Sequence, residues 1–282
     1  MSLAGTAPVS LVGLRLVRHP NMKGFLARLV LGVALAWSGM ASAEPVTVRH
    51  AEGLVHGFLA LRSPEGATLA SGDLIQVGHG DRVTSRLVFH FRDGSVHDET
   101  AVFVQRGHFR LLTDHLVQKG PAFAQPMDMT IDTHTSEVAV RYTDDHGKPR
   151  SDVERLDLPA DLANGLIITL LKNIGETASP VTVSFVAPTP KPRLVKLVIT
   201  ATGKEPFWVT HSAREATHYV IKTDLGGVAG LLAPLVGKQP PDSQVWILNG
   251  EAPAFVRSDA PLFVGGPLWR TELASPAWRR SR

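Results

Sequence analysis

Residues 86–105 read RLVFHFRDGSVHDETAVFVQ, and this stretch decides the fold. Leu87, Phe89 and Phe91 alternate with Arg86, His90 and Arg92. A period of two puts apolar side chains on one face of a strand and polar ones on the other. Asp93-Gly94 interrupts the alternation, and this pair accepts the positive φ angles of a tight hairpin turn. Val96 to Gln105 then resumes as the return strand, so the reading is an antiparallel hairpin with one buried face. If Asp93-Gly94 forms a two-residue loop, His90 and His97 stand opposite each other, with Glu99 two positions along on the same face.

Similar patterns extend outward. Leu54 to Leu61 is apolar and stops at Ser63-Pro64-Glu65-Gly66. Strands are expected at Phe109 to Val117, Met127 to Ile131, Val138 to Thr143, Val181 to Ala187, Leu194 to Thr200, Phe207 to Thr210, Ala216 to Lys222, Val245 to Leu248 and Leu268 to Leu273. One segment breaks the β rhythm. In PADLANGLIITLLKNIG, Leu162, Leu166, Ile167, Leu170, Leu171 and Ile174 fall at helical spacing, with Pro159 and Asp161 as start signals and Gly175 as a stop. The spacing predicts an amphipathic helix over about 161–174. Gly165 inside it marks either close packing against the sheet or a helix that begins later. The fold class that follows is mainly β: an antiparallel open barrel or sandwich, with that helix covering a sheet. Pro188, Pro190 and Pro192 divide an N-terminal β lobe with the helix (44–187) from a C-terminal β lobe (193–282), either as two units or within one domain.

Residues 1–43 read as a leader. Within them, MKGFLARLVLGVALAWSGMASA (22–43) has a positive start, a short apolar run and the small-x-small sequence Ala41-Ser42-Ala43. That order is a cleavable secretory signal, with translation expected to start at Met22. The run falls short of the roughly 20 residues needed to span a bilayer. Export to a periplasm, without a transmembrane anchor after cleavage, is the expectation. The whole chain has 29 basic and 26 acidic residues, but Arg15, Arg18, Lys23 and Arg28 precede the cut and no acid does. Removing those four leaves 25 against 26. The basic character therefore belongs to the leader, and a nucleic-acid partner loses its support. With no cysteine, disulfides, thiolate catalysis and cysteine-held metals are excluded.

Three groups of residues invite chemistry. His90, His97 and Glu99 form a valid zinc donor set if the loop has two residues, set against eleven histidines scattered after the leader. His90, His97, Asp98 and Glu99 also supply hydrolase residue types, although no Gly-x-Ser-x-Gly elbow or phosphate loop accompanies them. No catalytic residue and no cofactor is assigned. The third group is GGVAGLLAPLVG (226–237), nine apolar or small residues in a row framed by glycines. Gly230 and Pro234 make it a poor strand and a broken helix. It reads as a buried connector or as an apolar flap over a ligand.

FHFRDGSVHDET (89–100), LPADLANG (158–165) and GGVAGLLAPLVGKQPPD (226–242) resemble segments of a group of β-rich exported proteobacterial proteins without assigned chemistry. More remotely, the pattern is similar to periplasmic half-barrel lipoprotein carriers and lipocalin-like binders. That likeness implies a concave sheet around an acyl chain. The functional expectation is a non-catalytic periplasmic protein binding an apolar or amphipathic ligand such as a lipid, with Phe89, Phe91, Leu231, Leu232 and Leu235 as contacts. The alternatives are a periplasmic hydrolase or metal-dependent enzyme around His90, and an envelope structural or interaction protein.

Overall fold

Strands β3 (Arg82–Phe91) and β4 (Val96–Arg106) form the expected hairpin. Its loop has three residues, not two. Phe91 N–H donates to Ser95 O and Gly94 N–H to Phe91 O, while Gly94 takes φ +86°. This is a type I turn followed by a left-handed residue, the arrangement that adds one residue to a hairpin. The register moves accordingly, so that His90 pairs with Val96 and His97 with Phe89. A one-residue slip reverses the face of every side chain on the return strand. His97 therefore enters the core and His90 stays in solvent.

The computed structural model describes residues 45–144, 146–209, 211–224 and 240–275. Around the hairpin runs a meander: β1 (Val55–Arg62), β2 (Thr68–His79), β3, β4, β5 (His108–Lys119), β6 (Met127–Asp132), β7 (Glu137–Thr143) and β8 (Pro149–Arg155). After α1 (Ile167–Leu171) a second meander follows: β9 (Val181–Ala187), β10 (Arg193–Val209), β11 (Ser212–Asp224), β12 (Ser243–Leu248), β13 (Ala254–Pro261) and β14 (Leu268–Leu273). All neighbours are antiparallel. The last strand pairs with the first, giving one 14-stranded sheet with β8 and β9 at its edges. It is open, and a two-sheet sandwich is not formed. Both lobes read from the sequence lie in this sheet, and the proline run is the loop joining β9 to β10. The β3–β4 turn defines an upper rim, and the opposite strand ends define a lower one.

Three strands escape a reading by alternation. β2 contains Gly72-Asp73; Phe89 lies over that glycine, whose Cβ, if present, would sit 2.4 Å from the ring. β8 is polar and almost wholly exposed, with Pro149 as its first residue. Proline and charge are features that discourage pairing at a sheet edge. β13 is AFVRSDAP, half-buried and without a clear period. In the other direction, Leu194 to Thr200 and Phe207 to Val209, expected as parts of two segments, lie in one 17-residue strand with a register shift between Ala201 and Gly203; Thr210 lies outside the described residues.

The helix expected over about 161–174 is only Ile167–Leu171. Gly165 has φ +65°, incompatible with a continuing right-handed helix. Before it the chain turns at Pro159–Leu162 and makes a single bridge from Leu162 to Ser184 on β9. Residues 161–174 pack on the buried face of the sheet. Leu162, Ala163, Leu166, Leu170, Leu171 and Ile174 are buried in one core with Leu61, Phe89, Phe103, Met129, Ile131, Val138, Ile199, Tyr219 and Ile247. Burying each such large side chain contributes about 2 kcal/mol. Among the described residues no helix is long and apolar enough to cross a membrane.

Candidate functional site

The segment 161–174 organises the interior, and its polar residues explain its path. Asp161 and Asn164 continue the sheet along the free edge of β9. Ala163 N–H donates to Ser184 O at 2.9 Å, and Ser184 Oγ donates to Asp161 Oδ1 at 2.9 Å. Lys196 Nζ reaches Ser184 Oγ at 2.7 Å and Asp161 Oδ2 at 3.5 Å. Asn164 then imitates a peptide. Its Nδ2 donates to Val186 O at 3.0 Å, and its Oδ1 accepts Val186 N–H at 2.9 Å. The edge of β9 is thereby satisfied without another strand. Gly165 turns the chain inward, so close to β4 that a Cβ there would lie 2.5 Å from that of Ala101. Further on, Thr169 Oγ1 accepts Gln76 Nε2–H at 3.1 Å. Asn173 Oδ1 accepts the Arg49 and His50 amides at 2.8 and 2.7 Å. Tyr219 O–H donates to Ile174 O at 2.6 Å.

Against this segment the buried face of the sheet carries ionisable groups. Asp114 on β5 is 1% exposed and pairs in register with Ala101. Both of its carboxylate oxygens are buried without a hydrogen-bond partner among the described residues. Burial, reinforced by neighbouring Glu99, pushes its carboxyl well above the usual range. Glu99 on β4 is half-buried as a residue. Its carboxyl is pushed up to about 7 by burial, against a smaller opposing effect of the Gly165 N–H it accepts. One layer higher, His97 is 3% exposed, and burial depresses its imidazole to about 4 although Asp98 works the other way. Gln118 Nε2 donates to His97 Nδ1 at 3.1 Å and to Leu262 O at 2.8 Å. The acceptor role of Nδ1 leaves the proton on Nε2, as in a neutral ring. In each of these groups burial favours the uncharged form, so the interior is polar and able to hold or release protons.

The residues singled out in the sequence are dispersed by the register. His90 and Asp98 face outward, where Arg86 grips Asp98 with two bonds of 2.9 and 2.6 Å and holds its carboxyl below the ordinary range. His97 and Glu99 face inward. The joint donor set of His90, His97 and Glu99 is therefore not assembled. Among the described residues no three His, Asp or Glu side chains converge at metal distance. Phe89 is 0% exposed and packs between Gly72 and His97. Phe91 joins Phe123, Phe263 and Trp269 in a four-membered aromatic ring at the upper rim, with successive centroids 5.5–5.8 Å apart. Leu231, Leu232 and Leu235 lie outside the described residues.

The lower rim differs. Beyond the last partners of β9 and β12, Pro206–Val209 and Ser212–Glu215 continue as a two-stranded arm. At its tip Trp208 is 70% exposed and Val209 is exposed as well. Leu54 (83% exposed) and Leu273 lie at the same end. Beside the arm a groove of about 410 Å³ is lined by Arg49, His50, Lys172, Lys204 and Asn249, with Glu176. Asp114, Asn164, the arm and this groove are not among the candidate site residues that the sequence suggests. The one sequence signal for them is Asp-x-x-Asn-Gly at 161–165, a pattern of side chains that hydrogen-bond backbone.

No family model and no curated protein matches the chain. A solved structure of similar outline is a β-barrel-like protein of a domain of unknown function, DUF1849, from Brucella abortus. It is 9% identical, the match covers 80% of this chain and 98% of that one, and the TM-score is 0.42. What stands is the coarse class: a mainly β chain built on one open antiparallel sheet.

Proposed function

We propose that the chain is an exported, non-catalytic protein that binds an apolar or amphipathic molecule such as a lipid. Export rests on the leader sequence at 22–43. The observation that supports binding is the projecting arm with Trp208 and Val209 in solvent. A two-stranded ribbon is only marginally stable alone, and an exposed tryptophan there has no part in the core. Tryptophan suits a boundary between apolar and wet surroundings. The arm presents its contacts at the rim, whereas Phe89 and the 161–174 segment pack in the buried core. The sequence at 226–237 offers a second apolar contact through Leu231, Leu232 and Leu235. It connects β11 to β12, neighbouring strands that a far shorter loop would join.

The test is native mass spectrometry of the mature protein purified from the cell envelope, paired with co-sedimentation on phosphatidylcholine vesicles. Retained lipid or vesicle binding is expected, reduced at least several-fold by Trp208→Ser with Val209→Ser, and separately by Leu231→Asp. Wild-type protein that neither retains lipid nor sediments with vesicles overturns the proposal.

A further inference from the structure

The cations lining the lower-rim groove differ in how far their charge is balanced. Lys172 is paired with Glu52, and both side chains are nearly covered, so the two neutralise each other. Lys204 meets Glu176 at 3.0 Å, both half in solvent. Arg49 is different. No carboxylate of the described residues lies within ion-pair distance of its guanidinium, which sits over Gly175 with Nη1 3.0 Å from where a Cβ would be. Its backbone is nevertheless fixed, because Asn173 Oδ1 accepts the amides of both Arg49 and His50. A guanidinium on an anchored backbone, facing a polar groove and lacking a counter-charge, has the planar donor fork that oxyanions fit. Lys204 lies on the same lining and can share its ammonium between Glu176 and a second anion.

We propose that this groove binds an oxyanion of the phosphate type, with Arg49 as the primary partner and Lys204 as the secondary one. Glu176 remains in the groove and opposes a second negative charge, so affinity in the millimolar range is expected. The phosphate comes either from a free small molecule or from the headgroup of an acidic lipid. The proposal does not depend on the apolar-partner reading, since free phosphate alone satisfies it.

The experiment follows backbone amide resonances of Arg49, His50, Gly175 and Gly250 during titration with sodium phosphate, with ionic strength held constant by chloride. A parallel arm sediments the protein with phosphatidylcholine vesicles with and without phosphatidylglycerol. Saturable shifts are expected, weakened about tenfold by Arg49→Gln and less by Lys204→Gln, with no change in Arg155→Gln, whose arginine pairs with Glu137 elsewhere. Gly175→Ala displaces the guanidinium but keeps its charge, and an intermediate loss is expected. Phosphate shifts identify a free oxyanion; Arg49-dependent binding to phosphatidylglycerol alone identifies a headgroup. Both support the site. Absence of both effects, or phosphate shifts equal in wild type and Arg49→Gln, overturns it.

Discussion

Replacing His97 with asparagine should change how stability depends on pH far more than it changes stability at neutral pH. The imidazole is buried, and its folded value of about 4 lies below the ordinary 6.5. Between those values the unfolded chain binds the proton and the folded one does not, so acidification favours unfolding. At about 1.36 kcal/mol per pH unit, the loss reaches about 3 kcal/mol by pH 4 and vanishes above 6.5. Glu99 has the opposite sign. Its folded value of about 7 exceeds the ordinary 4.5, so the folded chain binds the proton first and acidification through that window stabilises it by a similar amount. Asp114, also raised, adds in the same direction. In the wild type these effects oppose each other between about pH 4.5 and 6.5.

His97→Asn removes one side of that opposition. Urea unfolding followed by near-ultraviolet circular dichroism at pH 4.5, 5.5, 6.5 and 7.5 measures it. The lost packing and the lost bond to Gln118 give an offset independent of pH, and the exposed carboxylates cancel between the two proteins. The stability of the variant relative to wild type should rise by about 2–3 kcal/mol from pH 6.5 to 4.5. A difference that stays constant across that range would refute the assignment of a buried, neutral imidazole.

Other perturbations test the interior. Glu99→Gln should raise stability at pH 8 by about 2 kcal/mol, because the wild type must bury a carboxylate there, and the gain should disappear near pH 4.5 in thermal melts. Gly165→Ala combines a left-handed backbone with a Cβ 2.5 Å from that of Ala101, and should lower the unfolding free energy by about 3 kcal/mol in urea. Asn164→Ala leaves the buried Val186 amide and carbonyl unpaired. A loss of about 2–4 kcal/mol is expected, with faster hydrogen exchange at the Val186 amide than at Val195 on β10; unchanged exchange at Val186 would count against the edge-pairing role.

The sequence announces the sheet where side chains alternate without interruption. Leu87, Phe89 and Phe91 on β3, and Val138 and Val140 on β7, are inward as their period requires. It conceals β2, since Gly72 and Asp73 break the period for a reason visible only once Phe89 lies across the glycine. The site was harder to read. Asp93-Gly94 marks the turn, but nothing local distinguishes two loop residues from three, and that single residue decides whether His90 and His97 meet. The 161–174 segment has the punctuation of a helix. Asp161 and Asn164 instead spend their hydrogen bonds on β9, a partner about 20 residues later in the chain. Asp114 could not be picked out from pattern alone, because its burial depends on the β4–β5 register and on the shift between Val102 and Phe103.

The pairing of β1 with β14 has a further consequence. It joins Leu59–Arg62 to residues 270–273 over four rungs, the shortest ladder between neighbours in the sheet. Its partners, such as Arg62 and Glu272, are separated by 210 positions along the chain. Within each meander every strand pairs with its neighbour in the chain, but the seam waits for the final strand to be delivered. Until then β1 exposes an unfilled edge. Loop-closure entropy makes so distant a pairing slow, and the interval before it closes is the period in which the chain is most open to wrong partners.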